Sequence, residues 1–339
     1  LRSERAAAEA GYEATALDYA YARQSLAAIV ARSWYLAIET RRLVALGERS
    51  VQVFEDLLGL VTLRRTSGKG TDLDVVEVEA ELATARSQLE LARRSYGESR
   101  RVLEVLLGRY PAAEISVAAD YPQLPPTVTA GLPLSLLERR PDIIAAERAV
   151  IAAFRRNEAA KLARLPSLSV SLLGGRLGDQ VLDLLQLNPW LASADVGLSI
   201  PIFEGGAIRA RIEIATAQEA QAIAAYGAKV LVAFREVEDA LANDILIGKR
   251  IPYEESALNS RTAAVDIATQ QYQAGTRDLL WLAQLQLQQI EAQASLIQLR
   301  NAQGANRIQL YLALGGSFEE TPAASLPAAQ TEAGDQETS

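Results

Sequence analysis

The chain has 339 residues, of which 34 are Lys or Arg and 42 are Asp or Glu, and its formal net charge is −8. This length allows two domains or one large domain, and the acidity argues against a nucleic-acid partner, because nucleic acids attract clustered positive charge. The sequence contains neither Cys nor His, which excludes disulfides, thiolate or imidazole metal sites, and the commonest catalytic base. No phosphate-binding Gly loop or carboxylate pair stands out, so we expect neither an enzyme nor a cofactor.

The chain begins with Leu1 and contains no Met, so we expect it to be a processed product or an N-terminally truncated fragment. A signal peptide or lipid anchor upstream would then lie outside the sequence. No stretch approaches the roughly 18 uninterrupted apolar residues that a transmembrane helix needs. If the protein crosses a membrane, we expect it to do so with strands.

The segment 1–108 predicts a helical hairpin. From Arg2 to about Arg65 there is no Pro and little Gly, which indicates one helix of roughly 60 residues. A turn at 66–71 precedes a second helix, from Asp72 to a glycine stop at position 108. Apolar residues recur along this second helix at alternating spacings of three and four, the pattern of a coiled coil.

A Pro-rich connector and a short helix follow at 109–166. Pro141 suits the first position of this helix and Asp142 complements its positive end. The segments 167–172 and 194–202 then alternate polar and apolar residues, which indicates two strands with one apolar face.

The strand pair, assigned to 167–204, is expected to contact lipid through its apolar face. Trp190 and Phe203 lie near the strand ends, where they suit interfacial aromatic belts. Two strands cannot close a sheet, so partner strands must come from elsewhere. The side chains expected to face lipid are Val196, Leu198, Ile200 and Ile202.

The segment 205–318 predicts a second hairpin. Its long helix is expected from Ile208 to Gln271, interrupted only by Pro252, and its shorter helix from Arg277 to Leu314. The remaining tail, 319–339, is small, polar and acidic, which predicts disorder.

The two hairpins read as copies of one repeat. A shift of 205 places Gly70-Thr71 on Gly275-Thr276, and a shift of 207 aligns the two Leu-Gly stops beyond the turns. The intact unit is expected to be two strands followed by a hairpin, twice, with the first strand pair missing before Leu1. Because four strands are too few for a closed barrel, we expect several protomers to pool their strands.

Several stretches together resemble one known family. They read Gly-Leu-Pro, Leu-Leu-Glu-Arg-Arg-Pro-Asp-Ile, Ala-Ala-Glu, Leu-Pro-Ser-Leu-Ser, Pro-Ile-Phe-Glu-Gly-Gly and Ala-Leu-Gly-Gly, at 131–133, 136–143, 145–147, 165–169, 201–206 and 313–316. The chain resembles TolC-like outer-membrane efflux proteins, most closely the lipoprotein branch that serves resistance–nodulation–division drug pumps.

The resemblance implies a mainly α protein with a β-barrel part. Three subunits would form a twelve-stranded transmembrane β-barrel in the outer membrane of a Gram-negative bacterium and a periplasmic α-barrel of twelve helices. The trimer would dock onto a periplasmic adaptor and an inner-membrane pump and would export small molecules passively. Two alternatives stay open from the sequence: a protein-secretion duct, and a soluble coiled-coil scaffold.

The resemblance also implies a periplasmic gate at the second hairpin turn. Its Tyr-x-x-Gly-x-Arg pattern falls on Tyr272, Gly275 and Arg277, and the acidic partner of the arginine on the neighbouring hairpin maps to Asp74. An exposed Arg–Asp pair contributes about 0–1 kcal/mol, so such a latch is easily opened. The alternative is that Asp74, like Asp72, only complements the helix dipole.

Two acids that ring the aperture in the family are absent here. Their positions are Trp281 and Gln284, and Asp278 lies nearby but out of register. Trp281 is expected either to narrow the aperture as an apolar plug or to pack in the coiled-coil seam. The resemblance further implies adaptor docking at the hairpin tips, at Gly70, Thr71, Gly275 and Thr276.

Overall fold

The computed structural model describes residues 2–124, 139–176 and 190–316. The expected tail at 319–339, the Gly-Leu-Pro motif at 131–133 and the loop before Trp190 therefore lie outside the described residues. The helices in the described ranges are α1 (Arg2–Thr66), α2 (Asp72–Leu106), α3 (Pro141–Leu162), α4 (Ala207–Gln273) and α5 (Leu279–Ala313). The strands are β1 (Ser167–Arg176) and β2 (Trp190–Ser199).

The chain groups into two compact units. One comprises Leu1–Tyr19 and Pro141–Leu231, and the other comprises Ala20–Arg140 and Val232–Ser339. The second unit contains the ends of both long helices, both turns and the two shorter helices that follow the turns.

The two long helices are confirmed, and both are continuous. Helix α1 has 65 residues and α4 has 67 residues. The expected interruption at Pro252 is wrong, because α4 runs through this residue. A proline removes only one backbone N–H donor, and the many remaining hydrogen bonds of so long a helix maintain it.

The helix ends and turns show that the hairpins repeat with a shift of 207. In the first turn Gly68 N–H donates to the Arg65 carbonyl at 3.0 Å, and in the second Gly275 N–H donates to the Tyr272 carbonyl at 2.9 Å. Gly68 and Gly275 have φ of 69° and 75°, which glycine adopts without strain. The sequence alignment of Gly70 with Gly275 is therefore wrong by two residues, because it matched residue types rather than backbone conformation.

The same shift relates the C-terminal ends of the shorter helices. Leu107 and Leu314 cap α2 and α5, and the glycine after each has φ of 70°. Both α2 and α5 have 35 residues.

The strands form an antiparallel pair whose register separates two faces. Leu168 lies opposite Leu198 and Val170 opposite Val196, and directly opposed residues share a face of the sheet. The other face carries serines, Gly197 and Asp195. All residues of β2 are exposed in the single chain, so the apolar face has no cover within the described residues.

The strand limits differ from the sequence prediction. β2 begins at Trp190 and ends at Ser199, so Ile200 and Ile202, although exposed, lie beyond it. Pro201 lies between them, and a proline cannot donate to a strand ladder. The expected lipid-facing set is therefore reduced, within the strand, to Val196 and Leu198.

Two residues of the Arg-Arg-Pro-Asp motif form buried polar contacts, Arg140 in one unit and Asp142 in the other. Arg140 is 2% exposed, and its guanidinium donates to Glu236 at 2.7 Å and to the Ala313 carbonyl at 3.3 Å. In the other unit the buried carboxylate of Asp142 lies 3.5 Å from the ammonium of Lys229. A buried charge is stable only with partners of this kind, so the motif has a structural role.

The segment after α2 is held to the helix by a buried carboxylate. Glu104 accepts the N–H groups of Ala113, Glu114 and Ile115 at 2.7, 2.6 and 2.9 Å. Burial alone would raise the pKa of Glu104, but these three donors and the charge of Arg100 outweigh it, and the pKa lies below its ordinary value. The ionised carboxylate is therefore part of the folded structure.

Two close contacts fix α5 against the other helices of its unit. Arg307 and Asp244 form a two-pronged ion pair whose side chains are 8% and 9% exposed, with its shortest N–O distance 2.9 Å. Gly304 is buried directly against the ring of Tyr35. That ring in turn stacks on Tyr121, with 5.7 Å between centroids.

Candidate functional site: the hairpin tips

The two hairpin tips rest on one apolar core. We call the turn at 66–71 the first tip and the turn at 273–278 the second tip. Beneath them, all four helices α1, α2, α4 and α5 contribute buried side chains, and full burial of each Val, Leu or Phe among them stabilises the packing by about 1.5–3 kcal/mol. These residues are Phe54, Leu57, Val61, Val75, Val78, Leu82, Ala85, Ala268, Tyr272, Leu279 and Leu282.

Among the residues predicted for the gate, Tyr272 lies deepest in this core, with only 3% of its surface exposed. Its backbone carbonyl accepts a hydrogen bond from Arg64, and the Arg64 guanidinium carbon lies 4.6 Å from the centre of its ring. Burial raises the pKa of the Tyr272 hydroxyl, the charge of Arg64 opposes this, and the charge of Asp74 adds to it. The contact between Arg64 and Tyr272 therefore joins the first hairpin to the second.

Asp74 forms a capping box at the start of α2. Its carboxylate accepts the Thr71 N–H at 2.9 Å, and the Thr71 hydroxyl accepts the Asp74 N–H at 3.1 Å. This arrangement satisfies two backbone donors that a helix start leaves free. Asp74 therefore has a structural role at the start of α2 within the single chain.

The second tip is capped by a different residue. The carboxylate of Asp278 accepts the Trp281 N–H at 2.9 Å, so Asp278 is the N-cap of α5. This explains why the acid is out of register and why α5 begins at Leu279 instead of Arg277. With the shift of 207, Trp281 is the counterpart of Asp74, and a cap at Asp278 leaves this position free to be apolar.

Arg277 and Trp281 contact each other. The Arg277 guanidinium carbon lies 4.9 Å from the centre of the Trp281 ring, within the range of a cation–π contact. Trp281 is half-buried and packs against the tip core, as the seam alternative predicts, whereas Gln284 on the next turn is exposed. Among the described ion pairs none joins Arg277 to Asp74, so a latch between them stays a prediction about neighbouring subunits.

The residues predicted to dock an adaptor differ in exposure. Thr71, Gly275 and Thr276 are exposed, but Gly70 is half-buried, and a Cβ there would lie 3.0 Å from the backbone nitrogen of Arg65. The tips also expose an equivalent pair of leucines, Leu73 and Leu280, which the sequence analysis did not single out.

Arg64 is the tip residue that the sequence analysis missed. The only local signal was a basic side chain in the last turn of α1, which complements the helix dipole at almost any helix end. Which partner it contacts depends on a residue 208 positions away, and spacing along one helix cannot indicate that.

The described ranges contain no group of three or more acidic side chains placed to hold a metal ion. None of their helices has the length and apolarity needed to span a membrane.

Comparison with known proteins identifies the family. The profile described as outer membrane efflux protein matches residues 1–109 and 132–316. The chain is 28% identical over 323 residues to the pyoverdine export outer membrane protein OpmQ of Pseudomonas putida, covering 94% of this chain and 68% of that protein. It is also 28% identical to the toluene efflux pump outer membrane protein TtgI of Pseudomonas putida, covering 85% of this chain and 62% of that protein.

A solved structure gives the same fold. The outer-membrane channel OprN matches with a TM-score of 0.82 and 26% identity, over 93% of this chain and 72% of that one. The chain spans about two thirds of the length of the curated relatives it matches. It belongs to the outer membrane efflux protein family, which confirms the TolC-like resemblance and the mainly helical fold.

Proposed function

We propose that this chain is part of the outer-membrane channel of a tripartite efflux system, a passive trimeric duct that carries small molecules from the periplasm to the exterior. The observation that carries the proposal is the combination of two long helical hairpins with a strand pair that exposes one apolar face. Relatives named for pyoverdine export and toluene efflux favour small molecules as cargo. The duct does no chemistry, and it needs no cofactor.

The strand pair supports the membrane part of the proposal. Each strand has ten residues, and a tilted transmembrane strand needs about 9–11. Leu168, Val170, Val196 and Leu198 share one exposed face, which suits lipid, while serines on the other face suit water. With a second pair per subunit, three subunits would close a twelve-stranded barrel.

The helices would form the periplasmic tube, with the tips at its inner end. Arg277 and Asp74 would then form a latch between neighbouring subunits, and each has a contact within its own chain to which it returns when the latch opens. Trp281 packs against the tip core beside Arg277, so the aperture would have no acidic side chain at this position. The exposed parts of both tips, with Leu73 and Leu280, would dock a periplasmic adaptor that belongs to an inner-membrane pump.

Conductance of the protein, expressed as its gene encodes it and reconstituted in planar bilayers, tests the duct and its gate. The double variant Arg277→Ala with Asp74→Ala is expected to raise single-channel conductance, because it removes the latch. The matched control is Arg94→Ala with Glu98→Ala, which removes an exposed pair within α2 whose N–O distance is 2.8 Å. This control is expected to conduct like the parent protein.

Two results would contradict the proposal at different levels. Equal conductance of the gate variant and its control would remove the latch. A protein that stays monodisperse without detergent, never enters membranes and shows no three-fold particles in electron micrographs would remove the duct and favour a soluble scaffold.

A further inference from the structure

Above the shared apolar core, one arginine of the first hairpin contacts the end of the long helix of the second. Arg64 lies in the last turn of α1 and is half-buried. Its guanidinium donates to the Tyr272 carbonyl, lies over the Tyr272 ring, and reaches the Lys69 carbonyl of its own turn at 3.5 Å. One side chain thus touches both the first tip and the residue that anchors the second.

The geometry suits a guanidinium specifically. Its flat face covers the aromatic ring while its edge donates to the backbone, so both contacts are made at once. The space beside it is restricted by the second turn, where a Cβ on Gly275 would lie 3.7 Å from a terminal nitrogen of Arg64. No carboxylate accepts from Arg64 among its described hydrogen bonds, so the contact differs in kind from an Arg–Asp latch.

The neighbouring Arg65 shows what an ordinary tip arginine does. It is exposed, and its guanidinium lies 3.4 Å from the carboxylate of Asp72 in the same hairpin. The two arginines share their chemistry and their place in the chain, but only Arg64 reaches the second hairpin.

The contact between Arg64 and Tyr272 also runs in one direction between the two repeats. With the shift of 207 that relates the turns, Arg64 corresponds to Gln271, and Tyr272 corresponds to Arg65. The second hairpin therefore has no arginine at the position from which the first hairpin reaches across. The contact is not a by-product of the repeat, since only one copy supplies the guanidinium and only the other supplies the ring.

We infer that Arg64 is the clamp by which the first hairpin holds the second tip within one subunit, and that its release is a step in opening the tip. The inference rests on the proposed duct and adds an intra-subunit contact to the latch between subunits. Because Arg64 also binds the first turn, a partner that docks on the first tip acts on the same segment that carries the clamp.

The distance between the tips tests the clamp without any transport. The chain has no Cys, so spin labels can be placed at Lys69→Cys and Thr276→Cys, which are exposed and equivalent in the two turns. The labelled protein is diluted with unlabelled protein, so that pulsed electron spin resonance reports distances within one subunit. Arg64→Ala is expected to shift the distribution to longer distances and to enlarge the separated population about tenfold.

Two variants make the result specific. Arg65→Ala is the matched control and is expected to leave the distances unchanged. Arg64→Lys keeps the charge but loses the flat contact with the ring, and it is expected to give an intermediate population. The same distribution in Arg64→Ala as in Arg65→Ala would overturn the clamp.

Conductance separates this inference from the proposed function. If Arg64→Ala separates the tips and also raises conductance relative to Arg65→Ala, the clamp is part of the gate. Separated tips with unchanged conductance would overturn its role in opening. Failure of every variant, and of the parent protein, to conduct would refute the duct itself, whereas the distance measurement would still decide whether Arg64 holds the tips.

Discussion

Replacing Gly304 by alanine tests the contact between α5 and α1. A Cβ at this position would lie 2.0 Å from Cε1 and 2.2 Å from Cδ1 of Tyr35, far inside contact distance, and the ring is only 7% exposed. The ring cannot move outward without leaving Tyr121, on which it stacks. Gly304→Ala must therefore displace α5, the ring or both.

The expected net effect is a loss of stability. Overpacking a filled site costs about 1–3 kcal/mol, and loss of the aromatic stack adds about 0.5–1.5 kcal/mol. Alanine returns about 1 kcal/mol because it favours a helix over glycine. We therefore expect Gly304→Ala to lower the free energy of unfolding by about 0.5–3.5 kcal/mol and to lower the urea midpoint accordingly.

The assay is urea unfolding followed by circular dichroism at the helical band, with two comparisons. Gly59 is an exposed helical glycine with no atom within 4 Å of its Cβ position, so Gly59→Ala is expected to stabilise by up to about 1 kcal/mol. In a Tyr35→Ala background, Gly304→Ala is expected to be neutral or stabilising, because the obstructing ring is gone. A Gly304→Ala protein that gains as much stability as Gly59→Ala would refute the reasoning.

Two further predictions concern buried charges. Glu104→Gln is expected to lower the melting temperature at pH 7, whereas the exposed Glu114→Gln is not. The pKa of Glu104 is depressed in the fold, so the stability that its carboxylate contributes is complete above the ordinary glutamate pKa and is lost as the pH falls through the lowered pKa. The melting temperatures of the two variants should therefore converge in acid. A difference that is unchanged at low pH would contradict this sign. Asp244→Ala removes the carboxylate that faces the buried guanidinium of Arg307, and it is expected to lower the free energy of unfolding in urea by about 3 kcal/mol. Glu255→Ala breaks an exposed ion pair and is expected to lower it by less than about 1 kcal/mol. Similar losses for both variants would show that burial does not determine the energy of these ion pairs.

The sequence predicts the helices well because their signals are local. The absence of Pro, the alternating apolar spacing and the glycine stops each depend on neighbouring residues, and the observed ends fall within about two residues of the predicted ones. Pro252 is the exception, because a proline's effect on a helix depends on how many other hydrogen bonds surround it.

The tips were predicted less well because their contacts are not local. Matching residue types aligned Gly70 with Gly275, whereas backbone conformation aligns Gly68 with it. Asp278 was identified only as an acid out of register, although its distance of three residues from Trp281 is a capping spacing. Arg64 had no recognisable signal, since its partner lies on the other repeat.

The two turns coincide bond for bond, although their side chains have almost nothing in common. Backbone hydrogen bonds and a single left-handed glycine maintain each turn. The conformation of the turns therefore does not depend on their exposed side chains, which can differ between the two repeats. Transplanting one six-residue connection into the other site should leave the path of the chain intact and change only what an approaching molecule meets. A duplicated protein of this kind can present different surfaces at its two hairpin tips while both tips keep the same backbone conformation.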